Sequence, residues 1–160
     1  MTQPPLLNMH GTTILCGGVG VMIRGRPGSG KSELALRLID APGYGGGNGL
    51  LRATLVADDQ AYLSLRDGEV WVTCPPALAG LIEVRGIGLL RLPSLAETRL
   101  SLIVDLVAPG TAERMPEAAA ETVSLLGVHL RRIVVEQGQP AAPAIVRTIV
   151  SQFETVALYP

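Results

Sequence analysis

Apolar residues recur along this chain with a period that changes from segment to segment, and the changes predict its elements. Residues 12–16 and 19–23 are short β-prone runs separated only by Gly17-Gly18, which predicts a hairpin. Over residues 32–39 the period lengthens to that of a helix, with Leu34, Ala35 and Leu38 on one face and Asp40-Ala41-Pro42-Gly43 as the stop. Residues 43–49, nearly all glycine, read as a surface connector, although a loop beside a ligand pocket can also close over it. The run 50–57 predicts a strand that ends abruptly in Asp58-Asp59, and 61–65 with 69–73 flank the hairpin signal Asp67-Gly68. Residues 81–84 and 89–92 bracket Arg85-Gly86-Ile87-Gly88, and 100–107 is a further buried-strand candidate. Behind Pro143, Ile145, Ile149, Phe153 and Val156 recur at helical spacing and predict a terminal packing helix.

Hairpins alongside strand–helix pairs point to an α/β fold with a mixed sheet flanked by helices, and 160 residues without a domain-sized linker fit one domain over 1–160. Aromatic residues make up only 3% of the chain, so its core has to be aliphatic and base stacking has few platforms. The formal net charge of -1, with no basic block, removes the electrostatic basis for binding a nucleic-acid backbone. The stretch 14–23 is too short and too rich in glycine to cross a bilayer, so no membrane association is expected. Cys16 and Cys74 lack metal-ligand spacing and read as reduced core thiols, which fits the cytoplasm.

The segment Gly25-Arg26-Pro27-Gly28-Ser29-Gly30-Lys31-Ser32 matches GxxxxGK[ST] between a predicted strand and a predicted helix, the setting that a phosphate-binding loop requires. Gly25, Gly28 and Gly30 free the backbone so that successive N–H groups converge on phosphate oxygens at the positive end of a helix. Lys31 supplies a cation for the outer phosphates and the Ser32 hydroxyl a ligand for magnesium, so ATP with Mg2+ is the expected ligand pair. Asp58 and Asp59, at the carboxyl end of the strand, can divide the organising of magnesium from the acceptance of a hydroxyl proton; a turn or a helix cap is the plain alternative. His10 can orient one of these carboxylates, or be structural. Glu83 and Arg85 on one strand face read equally as a site pair or as an exposed ion pair.

Taken together, His10-Gly11-Thr12, the loop with its Glu33-Leu34-Ala35-Leu36 continuation, Leu55-Val56-Ala57-Asp58-Asp59 and Ile82-Glu83-Val84-Arg85-Gly86-Ile87-Gly88 resemble the HPr kinase/phosphorylase family. The resemblance implies an ATP- and magnesium-dependent serine kinase acting on an HPr-like phosphocarrier protein of the sugar phosphotransferase system, with phosphorolysis as the reverse reaction. By that resemblance Lys31 is the catalytic lysine, Ser32 and Glu83 are magnesium ligands with Asp58 beside them, and His10 is the active-site histidine. Asp59 is the general base, Arg114 the later active-site arginine, and residues 83–91 the stretch needed for catalysis. It also implies a homo-oligomer, a hexamer. Two departures stand out: the N-terminal domain of longer members is expected to be absent, and residues 136–143 hold no arginine where the family carries an Arg- and Gly-containing loop, which puts the reverse reaction in question.

Two other readings compete. A nucleotide-sensing module would bind ATP without transferring phosphate, and a small-molecule kinase would need a charged lid, which residues 43–49 do not provide.

Overall fold

Gly17 and Gly18 sit at φ of 55° and 80°, the left-handed pair that a two-residue hairpin turn needs, and they join strand β2 (Thr12–Cys16) to β3 (Val19–Arg24). The computed structural model describes residues 6–157. Its elements begin with β1 (Leu7–His10), β2 and β3, followed by α1 (Lys31–Asp40). Next come β4 (Ala53–Ala57), β5 (Gln60–Arg66), β6 (Glu69–Thr73), β7 (Leu81–Val84), β8 (Gly88–Arg91) and β9 (Glu97–Val107). The chain closes with β10 (Thr122–Leu125), β11 (Val128–Glu136) and α2 (Ala142–Ala157).

The fold is mixed α/β, and β9 is its hub. One edge of β9 runs parallel to β3, which continues through β2 to β4; the other edge takes β6 antiparallel near its start and β11 parallel further on. The β6 branch continues to β5 and β1, and the β11 branch ends in β10. β7 and β8 form a separate two-stranded sheet.

Alternation sorts the side chains into two cores. Val21 and Ile23 on β3 with Leu102 and Val104 on β9 meet Leu34, Ala35 and Leu38 of α1 and Ala142, Val146 and Val150 of α2, so both helices cover one face. Met22 and Ile103 point the other way and meet Leu63, Val72 and Leu130, so the second face is closed by the branching sheet. Burying a Val, Leu, Ile or Met side chain of these cores contributes about 1.5–3 kcal/mol of transfer free energy, and an alanine correspondingly less.

The expected hairpins, α1 and the terminal helix are present, with three refinements. The strand expected over 50–57 begins at Ala53, because Leu51 exchanges backbone hydrogen bonds with Gly43 in an isolated bridge. The glycine-rich loop thus returns onto α2: a Cβ at Gly45 would lie 2.3 Å from the backbone of Arg147, and the Ser151 hydroxyl donates to Gly45 O. On α2 the most deeply buried stripe is Ala142, Val146 and Val150, with Ile145, Ile149 and Phe153 packed beside it; the side chain of Val156 lies outside the described residues. Arg147, on the same helix, is buried and donates to Ala41 O and Leu38 O, placing a cation at the carbonyl end of α1. Strands β1, β10 and β11 have no delimited counterpart in the sequence reading.

Candidate active site

The loop between β3 and α1 leaves the carboxyl end of the central parallel strands. Gly28 and Gly30 hold φ of 79° and 95°, and Gly30 is the residue from which α1 starts. Gly25 is required for space instead, since a Cβ there would come within 2.4 Å of the buried Ser29 hydroxyl. The Lys31 ammonium donates to Gly25 O at 3.0 Å and Arg26 O at 3.1 Å, folded back along the loop.

Gly28, Gly30, Lys31 and Ser32 line a cleft of about 840 Å³ together with Asp58, Asp59, Glu83 and Arg85. The two adjacent aspartates have different surroundings. Asp58 is buried, and its carboxylate accepts from three donors: Thr12 Oγ1 (2.8 Å) and Ser32 Oγ (2.6 Å) on Oδ1, and Glu83 N (2.9 Å) on Oδ2. Asp59 has 62% of its side chain exposed and, among the described residues, its side chain meets one partner, His10 Nδ1 at 3.2 Å. Its φ of 67° lies in the left-handed region, where a non-glycine residue is uncommon and Asp among the better tolerated; Gly11 N donates to its carbonyl.

Chemically, Asp58 is an organiser: its acceptor capacity is largely used, and it joins the loop, the β7–β8 hairpin and β2. Asp59 keeps an oxygen free to accept a proton. Glu83 and Arg85 form no ion pair among the described residues. Glu83 is exposed on the cleft, and Arg85 reaches over the loop, with its Nη2 3.3 Å from where a Gly28 Cβ would be. The Ser32 hydroxyl and the Glu83 carboxylate are hard oxygen donors on the cleft beside the glycine-rich loop, a set that fits magnesium, which needs only one or two protein ligands when phosphate oxygens and water supply the rest.

The structure therefore brings Pro27, Gly28, Gly30, Lys31 and Ser32 to one cleft with Asp58, Asp59 and Glu83, and pairs His10 with Asp59; Gly25, Arg26 and the buried Ser29 belong to the same loop but do not line that cleft. It does not bring Arg114 to this cleft: that residue is exposed in the loop after β9. One residue of the site was given no role of its own from sequence, Thr12, which had no signal beyond standing next to His10-Gly11. Glu83 and Arg85, for which two readings were open, are both placed on the cleft by the structure.

On the far side of the loop, Arg24 at the end of β3 pairs with Asp105 through two hydrogen bonds of 2.7 and 2.8 Å, and Arg132 of β11 donates to the same carboxylate. Burial alone would raise the Asp105 pKa, but the Arg24 and Arg132 guanidiniums outweigh it and hold the carboxyl below its ordinary value. Burial, with the Asp58 charge second, raises the Cys74 thiol pKa.

Residues 4–157 match the family described as HPr Serine kinase C-terminal domain. Curated relatives include an HPr kinase/phosphorylase of Variovorax paradoxus, 40% identical over 81% of this chain and 41% of its own length. Another, from Polaromonas naphthalenivorans, is 38% identical over 95% of this chain and 50% of its own. The chain thus spans about half the length of the curated relatives it matches. In fold it is similar to the Hpr(Ser) kinase/phosphatase from Coxiella burnetii, with a TM-score of 0.74 over 94% of both chains at 23% identity. With the family match running through nearly every residue of the fold just described, this chain belongs to the HPr serine kinase C-terminal domain family.

Proposed function

We propose that this chain is an ATP- and magnesium-dependent protein kinase domain that phosphorylates a serine of an HPr-like phosphocarrier of the phosphotransferase system. The observation that carries the reading is one cleft lined by the glycine-rich loop with Lys31 and by Asp59, whose single side-chain partner among the described residues is His10. The names of the relatives supply the substrate class.

In this reading the loop amides and Lys31 bind the outer phosphates of ATP, and Ser32 and Glu83 hold the metal with Asp58 behind them. Magnesium, when bound, neutralises charge on those phosphates. His10 orients Asp59 by engaging Oδ1, which leaves Oδ2 to accept the proton of the incoming serine hydroxyl. As that proton leaves, the serine oxygen bonds to the γ-phosphorus and the bond to the β-phosphate oxygen breaks, releasing ADP. Residues 136–143, running from the end of β11 through a turn into α2, hold no arginine, so the proposal covers the forward direction only. Arg114 has its role by resemblance alone.

The setting inferred is cytoplasmic, and the assembly inferred by resemblance is a hexamer, which light scattering checks. No helix among the described residues is long and apolar enough to cross a membrane. Incubation with γ-labelled ATP and HPr-like carriers tests the reaction: label on a carrier serine is the expected result. Nucleotide binding with no label on any carrier would overturn the kinase reading in favour of a sensing module.

A further inference from the structure

We propose that Thr12 is a positioning residue for the metal side of the site, acting through a carboxylate oxygen that it shares with Ser32. The inference rests on the functional reading above and extends it to a residue on a different strand.

Thr12 opens β2 and is fully buried. Its hydroxyl donates to Asp58 Oδ1 at 2.8 Å, and the Ser32 hydroxyl donates to the same oxygen at 2.6 Å. An ionised carboxylate only accepts, and a serine hydroxyl has a single proton. With that proton committed to Asp58, the lone pairs of Ser32 Oγ are left for the cleft, the orientation a metal ligand needs. Holding the carboxylate in place is therefore holding the ligand in place, as outer partners of metal ligands do.

Three donors hold Asp58, and they differ in how firmly they are themselves held. Ser32 is in the first turn of α1 beside the loop, and Glu83 N belongs to a two-stranded hairpin outside the main sheet. Thr12 belongs to a strand bonded on both edges, to β3 through the Thr12–Ile23 register and to β4 through Thr13–Ala57. It is the fixed reference for the carboxylate. Because it is fully buried, water has no route to replace its hydroxyl. The same short segment also reaches the neighbouring acid, through Gly11 N to Asp59 O and His10 Nδ1 to Asp59 Oδ1. One three-residue junction therefore positions both the metal side and the base side of the cleft.

A hydroxyl that merely satisfied itself in the core would affect melting temperature alone; a positioning residue changes metal affinity as well. The experiment titrates Mn2+, a paramagnetic stand-in for magnesium, into the protein bound to a non-hydrolysable ATP analogue. Free Mn2+ is read by electron paramagnetic resonance, and melting temperature is recorded for each variant. Thr12→Val, equal in shape and lacking the donor, is expected to weaken Mn2+ binding by about 10-fold or more while leaving metal-free analogue binding as in the wild type. Thr12→Ser is expected to restore the Mn2+ affinity. On a Ser32→Ala background, Thr12→Val is expected to add no further loss, because the hydroxyl through which it acts is gone. If the valine variant does not fold, Thr12→Ala serves as the donor-free side chain, with no atom in excess of the native ones.

A folded donor-free variant that binds Mn2+ as tightly as the wild type overturns the proposal. So does a serine variant that stays as weak as valine at equal melting temperature, or losses that simply add in the double variant. A wild-type protein that binds no nucleotide analogue overturns the functional reading and this inference together, whereas the preceding outcomes remove the inference alone.

Discussion

Two acidic centres flank the glycine-rich loop, and they are built in opposite ways. On the β9 side, the Asp105 side chain is 15% exposed and is held by two guanidiniums, from Arg24 and Arg132. On the β1 side, the Asp59 side chain is 62% exposed and, among the described residues, is met only by His10. A carboxylate whose lone pairs are taken by two fixed cations contributes to the fold and has nothing left for chemistry. One with a single partner and a strained backbone contributes little to stability and keeps a basic oxygen available. Asp58 lies between these cases, engaged by three neutral donors that fix its position without a cation beside it.

The comparison breaks most sharply at Asp59. Replacing it with Asn removes the base at an exposed position, so phosphotransfer is expected to fall by about 10²–10⁴-fold. Analogue affinity and melting temperature should stay near wild type. Transfer at the wild-type rate would mean that some other group takes the serine proton. The reverse profile is expected for Asp105→Asn, which leaves two guanidiniums facing a neutral amide. The loss of stability should be about 2–3 kcal/mol by urea denaturation, below the about 3–5 kcal/mol of a fully buried pair, because some water reaches the cluster. Turnover per folded molecule should hold, and if it collapsed as it does at Asp59 the two centres would not be distinct.

Sequence carried the site further than the fold that holds it. The loop, the acid pair and the β2–β3 hairpin are local signals, each complete within a few residues, and they are found where the pattern puts them. α1 is equally legible because Leu34, Ala35 and Leu38 form an unambiguous face. The terminal helix shows the limit of periodicity: Ile145, Ile149 and Phe153 mark a stripe, but the smaller Ala142, Val146 and Val150 allow the closest approach to the sheet and occupy its centre. β1 is an edge strand whose residues are mostly exposed, and β11 carries His129, Arg131 and Arg132 among its apolar residues, so neither shows the alternation of a buried strand. Thr12 and Asp105 are the instructive omissions. Their partners lie 46 residues away in one case and 81 and 27 in the other, so only the closed sheet reveals what they do.

Acid sharpens the contrast. The folded pKa of Asp105 lies below its ordinary value of 3.8, so its ion pairs add their full stability above that value. The contribution declines as pH falls through the folded pKa, where the native state too takes up the proton. The stability gap between wild type and Asp105→Asn is therefore expected to be constant from neutral pH down to about pH 5 and to close below about pH 4. A gap that persisted after the wild-type Asp105 carboxyl had taken up its proton would mean that the asparagine variant loses packing rather than charge.

The smallest effect is expected at Arg132. Removing it leaves Asp105 its two hydrogen bonds from Arg24, so the carboxylate remains paired; what disappears is one charged hydrogen bond and the contact of Arg132 with Ala120 O. A methionine at this position keeps the aliphatic stem, so Arg132→Met should cost about 1 kcal/mol, less than Asp105→Asn even though each variant changes one side chain of the same cluster. Urea titration of the two single variants and the double variant separates the possibilities. With Asp105 already neutral, Arg132→Met should become nearly free, because the guanidinium it removes no longer has a charge to meet. Equal costs on both backgrounds would show that Arg132 acts by packing, and the β9 centre would then be a single Arg24–Asp105 pair, closer in construction to His10–Asp59 than its three members suggest.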